Sequence, residues 1–450
     1  MIAGTKIANL YDMTYALQDQ KPGQTVDVVV IRDGKEQTFR ATLGDRSAVS
    51  SPSATPAAAP AAAAMPPTAA PAAATPTAAT PAPAAPENPH AMPPSGASAA
   101  GDSAKSTLAP FFEGRPGADW TPGAGTPFTA TLPGEKHFKD IRQLTFGGEN
   151  AEPYFSPDGK HITFQATTRG GKCDQQYVMD LTTGETKMVS SGKGRTTCGY
   201  YDYPEQDRIV FASTEAGSDS CPPAPDMSQG YVWAIYPTYD LWEVKPDGTG
   251  LRRIMESPGY DAEVTWNAHG GKAVFTSMRN GDLDLYELDE AGGVRQITNT
   301  PGYDGGAFFS PDGSEIVWRA SRPEGKALDD YKALLAKGLI RPSALEIFVM
   351  KSDGTNIRQL TKNGAANFCP TFHADGNRVI WSSNQGGNIR EFDLWMIDKR
   401  GGEPERITTG PGFDGFPHFS PDGRWVVWSS NRADPKSHET NLFLARWVEE

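Results

Sequence analysis

Phe309-Ser310-Pro311-Asp312-Gly313, followed one residue later by Glu315-Ile316-Val317-Trp318-Arg319, decides the reading of this chain. Pro presets φ, Asp bonds its own backbone and Gly takes a positive φ, so Ser310–Gly313 is a turn. The apolar stretch Gly306–Phe309 precedes it. The alternating, β-branched and aromatic run after it predicts a second strand. Leu345–Met350 and Ile357–Thr361 supply a third and a fourth strand, with a second turn at Ser352-Asp353-Gly354. The same phrase returns at Phe155–Gly159 (FSPDG), Phe372–Gly376 (FHADG) and Phe419–Gly423 (FSPDG). Worn copies stand at Tyr203–Asp207 and Trp266–Gly270. Each is followed by an apolar run ending in an aromatic: Phe164, Phe211, Phe275, Trp318, Trp381 and Trp428. Such periodicity is the mark of a propeller or solenoid. Four antiparallel strands make one blade, and a blade buries its faces only against neighbouring blades.

The third strands are expected at Tyr177–Leu181, Tyr239–Val244, Leu283–Leu288, Phe392–Ile397 and Asn441–Ala445. Fourth strands end in Val189-Ser190, Ile254-Met255, Ile297-Thr298 and Ile407-Thr408. The chain ends three strands into its last blade, and an orphan segment, Ile141–Thr145 (IRQLT), opens the domain. It is expected to close the ring as the outer strand of the final blade, which removes an open edge.

These turns, the IT or LT strand ends, and segments such as Ser277–Tyr286 (SMRNGDLDLY) resemble the TolB-like six-bladed propeller family over Asp140 to Glu450. No unit ends in Trp-Asp, so WD-repeat propellers are a poorer likeness. The expected fold is all-β: a six-bladed propeller at 136–450, an Ala/Pro-rich disordered linker at 47–135 and a small α+β module at 1–46. From Ser47 to about Ala109 the linker has almost no large apolar side chains to offset its chain entropy. In the small module, Asn9 caps a helix from Leu10 to Gln18, and Val26–Ile31 pairs with Gln37–Leu43. Lys21–Leu43 (KPGQTVDVVVIRDGKEQTFRATL) resembles the C-terminal half of a bacterial PDZ domain. The strand and carboxylate loop of a peptide groove do not precede it, so it is not expected to bind peptides alone. The resemblance suggests an N-terminally truncated chain and, as a rival role, the regulatory part of a secreted zinc aminopeptidase.

Net charge is −13 over 450 residues, which argues against nucleic acid. No membrane span or signal peptide is evident, and a monomer is expected. The four cysteines are Cys173, Cys198, Cys221 and Cys369. Blade topology puts all of them toward the face that carries the entry loops of the first strands. Cys198 with Cys221 is the favoured disulfide, Cys173 with Cys198 its competitor, and free thiols the remaining alternative. A disulfide implies an oxidising compartment. The spacings show no zinc pattern.

Two insertions lengthen second-to-third-strand loops on that same face. Ser213–Thr238 carries Tyr231, Trp233 and Tyr236; Arg322–Ala344 carries Leu328, Tyr331, Leu334, Leu335 and Leu339 at helical spacing. Both are expected to flank the channel mouth; covering blade edges is the plainer alternative. Five residues before the strand-one aromatics stand Asn150, Asp261, Asp304, Asn367 and Asp414, with Glu152 and Glu263 two residues further on. Such a ring can hold a cation or a peptide amine, although Asp and Asn in these loops more often serve nearby backbone. Arg169, Arg279, Arg322 and Arg432 lie on the same face and are expected to pair with some of them. H-E-x-x-H, G-x-S-x-G and phosphate loops are absent, so no catalytic residue, cofactor or metal is assigned. Resemblance implies protein or peptide binding in the periplasm or secreted space; a hydrolase using the carboxylate ring is the weakest alternative.

Overall fold

The computed structural model describes residues 23–32, 35–42, 120–129, 132–227, 230–388 and 390–449. The chain divides into two units, Met1–Thr107 and Leu108–Glu450. In the first, Thr25–Arg32 pairs antiparallel with Lys35–Thr42, setting Val28 opposite Phe39. That is the expected hairpin. The expected helix at 10–18, the remainder of the PDZ-like module and most of the linker lie outside the described residues.

The second unit is a six-bladed propeller. Its innermost strands are Glu149–Phe155, Thr196–Tyr201, Asp261–Trp266, Asp304–Phe309, Asn367–Phe372 and Asp414–Phe419. Each lies beside the next, and the last lies beside the first, which closes the ring. The second strands are the most buried part of each blade. Phe164, Phe211, Phe275, Trp318, Trp381 and Trp428 are almost wholly excluded from solvent. Burying each such ring contributes roughly 1.5–3 kcal/mol, the force that holds blade to blade.

The FSPDG turns work through side chains. Ser310 Oγ donates to Asp312 at 2.5 Å and accepts from Glu315 N at 2.9 Å, while Gly313 sits at φ +69°. Ser156 with Asp158, and Ser420 with Asp422, repeat the arrangement. Blade two departs from the expected alignment. Its innermost strand ends at Tyr201, not Tyr203. Asp202 fills the serine's place, accepting from Arg208 N at 3.0 Å, and the Tyr203 hydroxyl donates to Phe155 O at 2.9 Å.

The Ile-Thr strand ends also have a task. The Thr298 hydroxyl accepts from Leu285 N at 2.8 Å, Thr361 from Ile347 N at 2.9 Å and Thr408 from Leu394 N at 2.8 Å. Thr145 does the same for Leu442 N, at 2.8 Å. The segment before the first blade therefore occupies a fourth-strand place in the last. There Phe138–Gln143 pairs with Asn441–Trp447. The strand begins three residues earlier than expected, and Thr126–Pro127 adds a fifth strand outside it. Residues assigned to the linker by composition thus pack on this blade: Phe128 meets Phe443 at 5.2 Å, and buried Glu135 bonds Arg432. Arg142 ties them down through the carbonyls of Gly123, Ala124 and Gly125.

The insertions meet each other. Trp233–Ala234 pairs antiparallel with Leu339–Ile340, forming a strap from blade two to blade four. A helix spans Lys326–Leu335 and buries Leu335. Leu339, expected on that helix, belongs instead to the strap strand, because Gly338 at φ +70° turns the chain first. Among the described residues no helix is long and apolar enough to cross a membrane.

The disulfide joins Cys173 to Cys221, with Cα atoms 6.0 Å apart, and Cys198 and Cys369 are free thiols. This corrects the favoured Cys198–Cys221 pair and its Cys173–Cys198 competitor. Cys198 lies within an innermost strand at φ +55°, not in a loop, and lines the axial cavity. The insertion meanwhile folds back on blade one, where Gly194 N donates to Asp219 O at 3.0 Å, bringing Cys221 to Cys173.

Candidate functional site

Every innermost strand bulges at the same place, three residues before its closing aromatic. Glu152, Cys198, Glu263, Gly306, Cys369 and Phe416 all have φ between +55° and +59°. The pairing register slips at each. A left-handed residue in a strand re-aims its side chain, and five of the six positions line one axial cavity. Holding non-glycine residues there costs about 1–3 kcal/mol each, which the surrounding packing must offset. Two residues further on, Tyr154, Tyr200, Phe308 and His418 form the floor. Their rings all meet pairwise at 5.3–6.2 Å. Burial lowers the His418 pKa to about 3, so this imidazole is neutral and its Nδ1 accepts from Phe155 N at 3.2 Å. The channel is a cup with space for a water-sized group, about 20 Å³.

Gly306 shapes one wall. A Cβ there would stand 2.0 Å from Arg319 Nη1, so only glycine lets this guanidinium through from the neighbouring strand. Arg319 pairs with Glu263 and donates to Tyr303 Oη at 2.7 Å. Glu263 further accepts from Gly306 N at 3.0 Å and Thr276 Oγ1 at 2.7 Å. Glu152 is different. Among the described residues no Lys or Arg forms an ion pair with it; the Tyr154 hydroxyl is 3.4 Å away, and the Cys198 thiol bonds it. Burial holds its carboxyl up at about 7. Burial also pushes the Cys198 and Cys369 thiols well up, with nearby carboxylates adding to it, so both stay protonated.

The loop carboxylates are turned into the blades. Arg279 binds both oxygens of Asp261, at 3.1 and 3.2 Å. Asp304 accepts the Trp318 indole at 2.6 Å and a bidentate Arg322. Asp414 accepts the Trp428 indole at 2.9 Å and Arg432 at 3.1 Å. Asn367 accepts the Trp381 indole at 3.0 Å and donates to Leu345 O at 2.7 Å. Asn150 donates to Gly147 O and Thr440 O. Arg169 pairs with Glu439 rather than with a ring carboxylate. The repeat uses these groups to lock second strands to first strands. Buried pairs of this kind leave little charge for a ligand.

Trp233 brings the strap to the cup. Its ring lies 6.3 Å from Tyr303 and 6.4 Å from Phe368, with the Arg319 guanidinium 5.2 Å from its centroid. Its indole donates to Tyr231 Oη at 3.1 Å. Tyr236 serves the strap itself, donating to Pro223 O at 2.6 Å. Beside Trp233 the half-buried rings of Phe368, Phe392, Phe413 and Phe416 form a shelf, with centroids 4.9–6.5 Å apart.

Of the residues expected at the mouth, the structure gathers Glu152, Glu263 and Trp233. Asp261, Asp304, Asn367, Asp414, Arg279 and Arg322 are taken up within blades. Cys198, Gly306, Cys369, Arg319 and the phenylalanine shelf were not anticipated at the cup. The signal for the first three was present: each stands three residues before a strand-one aromatic, once Tyr201 is recognised as that aromatic in blade two. Among the described residues no cluster of three or more His, Cys, Asp or Glu is arranged to hold a metal.

No family model matches the chain. Solved structures are similar to it over about two thirds of its length. TolB from Acinetobacter baumannii is 18% identical at a TM-score of 0.43, the match covering 67% of this chain and 64% of that one. A putative TolB from Agrobacterium tumefaciens is 17% identical at 0.44, covering 67% and 91%. An oligogalacturonate lyase in complex with manganese is 15% identical at 0.42, covering 72% and 99%.

Proposed function

We propose that this chain is a non-catalytic binding propeller that takes a protein or peptide segment on its entry-loop face. The observation that carries this reading is the axial cup, floored by four rings, with Trp233 of the strap packed against its Arg319 wall. The ring carboxylates that would otherwise suggest hydrolysis, Asp261 and Asp304, are held by arginines and an indole. What stays presented, among the described residues, is one carboxyl without an ion pair, a shelf of phenylalanines and the strap. Aromatic anchors beside a small polar pocket suit a chain segment rather than a diffusible polar metabolite. The Cys173–Cys221 disulfide supports a periplasmic or secreted setting.

The test is capture from an envelope extract by the immobilised full chain, beside a version with residues 215–237 replaced by a short Gly-Ser turn. Partners held by the full chain should be lost from the shortened one. Identical capture by both proteins would remove the entry-loop face as the working surface.

A further inference from the structure

We propose that the cup receives the protonated amine of a peptide, with Glu152 as its counter-charge, an assignment that rests on the peptide-binding reading above. Four observations on one cavity lead to it. The space, about 20 Å³, admits one water-sized group, and an ammonium is of that size. Glu263, the other carboxylate at the bulges, already has Arg319, Tyr303, Thr276 and a backbone amide. Glu152 has a long hydroxyl contact and the Cys198 thiol, and among the described residues no ion pair. A buried carboxylate without countercharge is costly, and an entering cation relieves that cost.

The third observation concerns the opposite wall. Arg319 is only 7% exposed, and its Nε is buried with no acceptor. A peptide amine offers Glu152 the countercharge that Arg319 gives Glu263. The fourth is the rim. Trp233, Phe368, Phe413 and Phe416, half-buried and packed together beyond the Arg319 wall, suit an apolar first side chain. The shared chemistry is an alkylammonium, which a lysine side chain also carries.

Binding has a proton signature. Tyr154, Cys198 and Cys369 stay protonated around the site, and Arg319 stays charged against Glu263. Asp174 adds a distant repulsion. Glu152 itself titrates at about 7, so an ammonium beside it expels its proton near neutrality.

The experiment is calorimetric titration of the full chain at pH 7 with three octapeptides of otherwise identical sequence. One begins with Phe and a free amine, one is its N-acetyl form, and one is N-acetylated with Lys first. Each is run in two buffers of different ionisation enthalpy, against wild type and Glu152→Gln. The free amine should bind about tenfold or more tighter than its acetyl form, as expected for a hydrogen bond between charged groups. It should release protons, and Glu152→Gln should abolish both effects. Acetylation changes only the ligand, so a misfolded variant cannot mimic that arm. Tight, Glu152-dependent binding of the acetyl-lysine-first peptide would keep the ammonium and name lysine as its source. Equal binding of free and acetyl forms overturns the amine assignment and leaves the peptide surface standing. If no peptide binds, both proposals fall.

Discussion

Glu152 and Glu263 occupy equivalent bulges, yet their chemistry diverges because of one neighbour. Gly306 clears a path for Arg319, and Arg319 turns toward Glu263. At Glu152 burial outweighs the Cys198 thiol bond and the more distant Arg319 charge, and raises its pKa from 4.5 to about 7. The linkage has a definite sign. A carboxyl whose folded pKa lies above its unfolded one stabilises the fold fully below 4.5, and that contribution is lost as pH rises through about 7. Wild type should therefore lose about 1–3 kcal/mol against Glu152→Gln between pH 4.5 and 8. Urea unfolding of both proteins across that range measures it, and parallel stability profiles would refute the buried-carboxyl account.

The strap is the element with no counterpart in the repeat. It is anchored at one end by Cys173–Cys221 and at the other by pairing with Leu339–Ile340. Among the described residues from 221 to 237, only Val232 and Ile235 are buried apolar ones, whereas the second strands are buried over most of their length. Local stability follows such differences. Reducing the disulfide should speed amide exchange across Val232–Tyr236 by about tenfold or more while leaving the second strands protected. Uniform exchange in both redox states would show that the strap is held by its packing alone.

At the scale of the whole molecule, the ring is closed by hydrogen bonds and side-chain packing between chain segments some three hundred residues apart. Thr145 is the joint, filling the place that Thr298, Thr361 and Thr408 fill within their own blades. Thr145→Val keeps the shape and strands the Leu442 N–H. That should cost about 1–3 kcal/mol of stability. It should also raise exchange of Phe138–Gln143 and Asn441–Trp447 together, because opening that joint frees both strands. Exchange confined to Phe138–Gln143 would mean that the outer strand is dispensable to the last blade.

The repeat was legible because its causes are local. Ser-Pro-Asp-Gly turns, alternating second strands and Ile-Thr ends each follow from a few adjacent residues, and their register implies blades and a closing strand. The Asp–Arg pairs were legible in outline for the same reason. Two features were decided only by tertiary structure. Cys198 and Cys369 look like loop cysteines in sequence, but left-handed bulges aim them at the axis, so Cys221 finds Cys173 instead. The cup and the strap beside it depend on contacts between blades: Arg319 passing Gly306 to reach Glu263, and Trp233 crossing from blade two to Tyr303 and Phe368. Local sequence specifies turns and strand periods, whereas the direction of a bulged side chain and the meeting of distant loops exist only once the ring has closed.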